Sequence, residues 1–123
     1  SWDAYPAYLL QHKAKMQIAC FVAADGKQIW GRSARDNNFN ATEAQTAAIA
    51  AALASGAPGQ YDFGDKKYMK VGPPGMFMGK KGDWAVAAAK TNSGVVICSG
   101  QDSPQGAIAA ADFLADELKG KGC

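Results

Sequence analysis

Apolar and polar positions along the chain follow two different rhythms, and the places where one gives way to the other delimit its elements. The stretch "MQIACFVAADGKQIWG" is an apolar run from Met16 to Ala24, an Asp25-Gly26 pair, and a second run through Ile29 and Trp30. Asp-Gly readily adopts the backbone of tight turns, so the stretch predicts a β-hairpin. "NFNATEAQTAAIAAALASG" is alanine-rich instead, with Ile49 and Leu53 four apart and Gly56 at its end. It predicts a helix of about three or four turns that Gly56 stops, with Asn40 as its cap and Glu43, three residues on, reaching back to the cap. From Gln60 to Ser99, short runs rich in β-branched and aromatic residues ("YDF", "KKYMKV", "MFM", "DWAVAAAK", "GVVICS") are separated by Gly64, "GPPG", "GKKG" and "TNSG". That alternation predicts an antiparallel meander, although its alanines lower the strand propensity of each run.

Both ends predict helices. "SPQGAIAAADFLADELKGKG" offers Ser103 as a cap, Pro104 at the first helical position, and Ala107, Ala111, Leu114 and Leu118 at core spacing. "SWDAYPAYLL" offers Ser1 as a cap, with Trp2 and Tyr5 three apart on one face of a short helix, and Pro6 removing one amide donor inside it. Large rings where chain ends usually fray pose a choice between burial and binding. The order helix, two strands, helix, several strands, helix predicts an α+β domain with helices packed on an antiparallel sheet.

With 123 residues, 48% hydrophobic and 20% charged, one domain spanning residues 1–123 is expected. Thirteen basic and 11 acidic residues give a net charge of +2, too balanced for a nucleic-acid-binding chain, so any basic surface is local. No stretch approaches the roughly 18 apolar residues that span a bilayer, and the first residues lack a basic segment followed by an apolar run, which sets the expectation of a cytoplasmic protein. Cys20, Cys98 and Cys123 lack metal-ligand spacing, and the first two sit in apolar runs. No disulfide, metal or cofactor is expected. The only histidine, His12, lies in the polar stretch "QHKAK", the carboxylates stand mostly singly, and neither a phosphate-binding glycine loop nor HExxH occurs. Catalysis is therefore not expected.

Two features carry binding chemistry. Lys66, Lys67, Lys70, Lys80, Lys81 and Lys90 all fall in the meander, and a local positive face forms if adjacent strands bring some of them together. Such a face suits an acidic protein or anionic lipid headgroups. Trp2, Tyr5 and Trp30 converge if the first helix packs across the first hairpin, either as core or as a groove for an extended proline-rich peptide.

"SWDAY", "ACFVAADGKQIW", "KKYMKV" followed by "GKKG", and "FLADELKGKG" occur in the order and spacing of the profilins. Over nearly its whole length the sequence resembles that family of small actin-monomer-binding proteins. The resemblance implies a central antiparallel sheet with the terminal helices on one face and the remaining helix or helices on the other. It also implies a non-enzymatic protein of the cytoplasm and cytoskeleton that binds monomeric actin, promotes its nucleotide exchange, and binds proline-rich segments of assembly factors such as formins, with phosphoinositide as a further ligand. Carried over residue by residue, the polyproline groove comprises Trp2, Tyr5, Trp30, Glu117 and Cys123, and the actin face comprises Lys80, Lys81, Lys90, Gln105, Ala109 and Phe113.

The sequence departs from the family at three of these places. Glu117 stands where many profilins have Tyr or His, and Cys123 where an aromatic or apolar residue often stands. At ~1 kcal/mol for each missing stacking or hydrogen-bonding group, polyproline binding is expected to be weakened roughly tenfold to a hundredfold. Phe113 stands where many relatives are charged, off the core stripe, and is expected to make an apolar contact with actin. On the residues alone three other readings stay open: a sensor-like α+β domain in which "ACFV" and "VVIC" line a small-ligand cavity, an adaptor that uses a sheet edge without binding actin, and a thiol-dependent enzyme using Cys20 or Cys123.

Overall fold

The computed structural model describes residues 1–123, which form α1 (Ala4–His12), β1 (Met16–Ala23), β2 (Ile29–Ala34), α2 (Glu43–Ser55), β3 (Gln60–Phe63), β4 (Lys66–Val71), β5 (Phe77–Lys81), β6 (Trp84–Lys90), β7 (Gly94–Gly100) and α3 (Pro104–Gly120). The seven strands make one antiparallel sheet in the order β2-β1-β7-β6-β5-β4-β3. The first hairpin and the later meander, read separately from the sequence, are joined by the β1–β7 pair, in which Phe21 faces Val96 and Cys20 faces Ile97.

Side-chain alternation along these strands builds two cores, one on each face. Ala19, Phe21, Ala85, Ala87, Ala89, Val96 and Cys98 point to the face covered by α1 and α3, where Leu9, Leu10, Leu114 and Leu118 meet them. Cys20, Val22, Val86, Ala88, Val95 and Ile97 point to the other face, where α2 lays Ile49, Ala50 and Ala52 beside Phe63, Tyr68 and Phe77. The terminal helices therefore share one face and α2 takes the other, as the resemblance to profilins implies. The alanines that blur "DWAVAAAK" have a packing role. Ala85, Ala87 and Ala89 meet Ala107, Ala110, Ala111 and Ala115 of α3, and small residues on both sides let helix and sheet approach closely.

Three local expectations are corrected. The first hairpin turns through residues 24–28 rather than through a two-residue Asp-Gly turn: Ala23 N donates to Gln28 O at 2.9 Å, and the register slips between Phe21 and Val22. The cap of α2 is Thr42, not Asn40. Its hydroxyl accepts from Gln45 N at 3.2 Å while the Gln45 side chain accepts from Thr42 N at 3.2 Å. The Glu43 carboxylate instead accepts from Ile29 N at 2.9 Å, tying α2 to the start of β2. In α1 the cap is Asp3 and not Ser1, so Trp2 lies just before the helix and Pro6 falls in its first turn, where a missing amide donor costs nothing. Gly56 does end α2, in the left-handed conformation (φ 75°), and Ser103 caps α3 through Gly106 N at 3.0 Å with Pro104 next to it.

Candidate functional site

Residues before α1 place an aromatic platform against β2. Asp3 Oδ1 accepts from Arg32 N at 2.9 Å, and Tyr5 N donates to Trp2 O at 3.2 Å. These bonds hold Trp2 over Gly31, where a Cβ would lie 2.5 Å from the Trp2 carbonyl oxygen, so only glycine admits this approach. Arg35 fastens the far end of α1, donating to Leu10 O at 2.8 Å and Met16 O at 2.7 Å.

The result brings together the three rings that the sequence places apart. Trp2 lies 5.7 Å from Tyr5 and 6.3 Å from Trp30, centre to centre, above a fully buried Phe21. Trp2 is 42% exposed, and Tyr5 and Trp30 are half-buried. The rings therefore form a surface platform rather than core. The Trp30 indole N–H donates to Gln28 Oε1 at 3.2 Å, so Trp30 presents mainly its flat face.

Cys123 borders this platform. Its carbonyl accepts from Ser93 N and Ser93 Oγ, each at 2.7 Å, beside Gly94, whose position lies under the Trp30 ring. Glu117 is exposed on α3, one turn beyond Phe113 on the same edge of the helix. Phe113 itself is half-buried, its ring stacked on Tyr8 with centres 5.5 Å apart, with Lys13 Nζ 4.8 Å above it. Sequence spacing showed neither this partner nor this lysine, because they lie on α1 and just after it, about a hundred residues earlier in the chain.

The lysines separate into groups. Lys66 pairs with Asp65 at 3.2 Å and lies 4.0 Å over the Trp84 ring, and Lys67 pairs with Asp62 at 3.1 Å. Lys80 and Lys81 are exposed at the β5–β6 hairpin end and form no ion pair. Lys80 is opposite Met69, which is 58% exposed and stands out from no pattern in the sequence. Gln105 and Ala109 are exposed near the start of α3. Lys90 stands at the other end of β6, five residues from the Ala85 that pairs with Lys80, or about 17 Å at the rise of an antiparallel strand. It is not gathered with Lys80 and Lys81. It borders a cavity of about 480 Å³ at the β6–β7 turn, lined from α2 on one face of the sheet and from α3 on the other, whose rim also carries Asp112 and Lys119. Partial burial there, and then the neighbouring Asp116 carboxylate, raise the Asp112 pKa.

Of "ACFV" and "VVIC", only Val95 borders that cavity. Cys20, Phe21, Val22, Val96, Ile97 and Cys98 are all fully buried in close-packed core. Cys20 and Cys98 point to opposite faces of the sheet, and burial pushes both thiols far above their usual range, which leaves neither as a nucleophile. No group of His, Cys, Asp or Glu could hold a metal ion, and no helix is long and apolar enough to cross a membrane.

A comparison with curated proteins found no match. Among solved structures the fold is similar to Acanthamoeba castellanii profilin II (26% identity, 100% of each chain, TM-score 0.83). It is also similar to mouse profilin IIa in complex with a double repeat from the FH1 domain of mDia1 (19% identity, 100% of this chain and 99% of that one, TM-score 0.70). A third likeness is to LokiProfilin1 in its complex with rabbit actin (16% identity, 96% and 93%, TM-score 0.65). The profilin family model matches residues 1–123. With its sheet order, its terminal helices on one face and its match from end to end, the chain belongs to the profilin family, a family of non-enzymatic actin-binding proteins.

Proposed function

We propose that this protein binds monomeric actin at the β4–β6 end of its sheet, promotes nucleotide exchange there, and binds proline-rich segments of actin-assembly factors such as formins on the aromatic platform. The observation that carries the reading is the surface cluster of Trp2, Tyr5 and Trp30. Indole and phenol rings with exposed flat faces and polar tips suit a polyproline II helix, whose pyrrolidine rings stack and whose carbonyls accept hydrogen bonds. Glu117 and Cys123 complete the groove but weaken it, since neither offers a ring to stack.

For actin, Lys80, Gln105, Ala109 and the exposed Met69 form the side of the contact that faces α3 and Lys81 its other side, with Lys90, about 17 Å along β6, at its far limit; Phe113, stacked on Tyr8 in the seam with α1, is left out of this contact. Unpaired lysines steer an acidic partner, and the apolar surface holds it. The same Lys80 and Lys81 suit the headgroup of a phosphoinositide. Two faces on opposite sides of one cytoplasmic molecule let it hold actin while delivering it to a proline-rich factor.

Tryptophan fluorescence tests the division, because the three tryptophans lie on both sides. Trp84 pairs with Lys81 at the hairpin end, whereas Trp2 and Trp30 lie in the platform. In a Trp84→Phe variant, a polyproline peptide is expected to change the emission and monomeric actin to leave it unchanged. An actin response in that variant, or none to polyproline, would overturn the assignment of faces.

A further inference from the structure

The seam between α1 and α3 carries more aromatic surface than the platform uses. Tyr8 stacks on Phe113 with an interplanar angle of 18°, and the His12 ring lies 4.2 Å from Tyr8 and 5.6 Å from Phe113. Leu9 and Leu10 fill the sheet-facing side of α1 and Leu114 that of α3, so Tyr8 packs only at the margin of this core and Phe113 and His12 stand outside it. Tyr8 and Phe113 are half-buried and His12 is exposed, so their edges face water.

Spacing puts the cluster in line with the platform. Tyr5, Tyr8 and His12 recur at i, i+3 and i+7 along one edge of α1, a run of about 10 Å. The two helices run in opposite directions, since His12 and Lys13 share a surface depression with Gly106 and Ala110 from the start of α3. Moving along the seam from Trp2, the ring of Tyr5 comes first, then the level of Glu117, then the Tyr8–Phe113 stack.

We propose that the Tyr8–Phe113 stack is a second subsite for the proline-rich ligand, in line with the platform, so that the protein takes a segment about two residues longer than the platform alone engages at ~3.1 Å per residue. The inference rests on the reading of the platform as a polyproline site. The exposed edges of the Tyr8 and Phe113 rings supply apolar contact for a pyrrolidine ring, and the Tyr8 hydroxyl a donor for a carbonyl. Apolar contact that the Glu117 carboxylate cannot offer, between the two groups of rings, is thereby supplied further along, and selectivity shifts toward long proline runs.

Calorimetry with two peptides tests this: a core of about six prolines, and the same core extended by about six more. In the wild type the extension is expected to tighten binding about tenfold more than it does in a Tyr8→Ala/Phe113→Ala variant, in which only the larger number of binding registers remains. The core peptide should bind both proteins equally. Equal gains in the two proteins would overturn the second subsite while leaving the platform standing. No binding of the core peptide to the wild type would sink both. A readout on the unaltered protein guards against a variant that fails to fold: the His12 imidazole resonances should shift with the long peptide and not with the core peptide, and resonances that shift with neither would refute the proposal.

Discussion

Gly31 is where one methyl group tests the platform most directly. Its Cβ would press on the backbone of Trp2, which cannot yield as a flexible side chain could, while the strand itself keeps its pairing of Gly31 with Phe21. Gly31→Ala is therefore expected to lift the segment before α1, lower polyproline affinity about tenfold and, because Trp2 packs on the buried Phe21, lower the thermal midpoint as well, as calorimetry and a melt would show. At Glu117 the expected change is the opposite: Glu117→Tyr restores a ring to the groove and should raise the affinity about three- to tenfold. That Trp2, Tyr5 and Trp30 would converge was legible only on the condition that the first helix packs across the first hairpin; the residues alone left core and groove open, and the resemblance to profilins implied the groove. What holds them was not legible. The Asp3–Arg32 bond spans 29 residues, and no local pattern announces a side chain that reaches a distant amide. Phe113 shows the same limit: its place off the core stripe is plain from spacing, but only the packing of α3 on α1 supplies Tyr8 and Lys13 as its neighbours.

Helix α2 shows how far local rules reach and where tertiary contacts take over. Asn40 with Glu43 is the capping pair read from the sequence, and the structure uses Thr42 with Gln45, which has the same spacing two residues on. The choice falls to contacts outside the helix. Glu43 is engaged by the amide of Ile29, and Gln45 bonds Gly64 twice, accepting from its N at 2.8 Å and donating to its O at 3.1 Å. Thr42→Ala should accordingly cost about 1 kcal/mol in urea denaturation and Asn40→Ala clearly less, an order that the alternative cap would reverse. The strands of the meander were readable from their turn residues. The joining of β1 to β7 was not, since it pairs segments about eighty residues apart through fully apolar runs that carry no register signal.

The two cores share one sheet, so disturbing either face should unfold the whole, and alkaline pH provides a way to disturb both. Tyr68, on the α2 face, has its pKa pushed up from 10.0 to about 12, chiefly by burial. Cys20 on that face and Cys98 on the α1/α3 face are raised further from 9.0, again chiefly by burial. Each of these groups is neutral when protonated and binds its proton more tightly in the folded state than in the unfolded chain. Their contribution is therefore fully present below pH 9, begins to fade as unfolded thiols and then unfolded tyrosine ionise, and for Tyr68 is lost as pH rises to about 12. Two pH units at about 1.4 kcal/mol each make the Tyr68 share at most roughly 3 kcal/mol. Stability measured by urea titration should hence fall with rising pH above 9, and in Tyr68→Phe the slope between pH 10 and 12 should be shallower. Because β1 and β7 each contribute to both cores, tryptophan emission from the platform and far-ultraviolet dichroism from the sheet and α2 should report one transition. Separate midpoints would mean that the aromatic platform can detach from a folded sheet, so that ligand binding at Trp2 and Trp30 could be lost at high pH before the rest of the molecule unfolds.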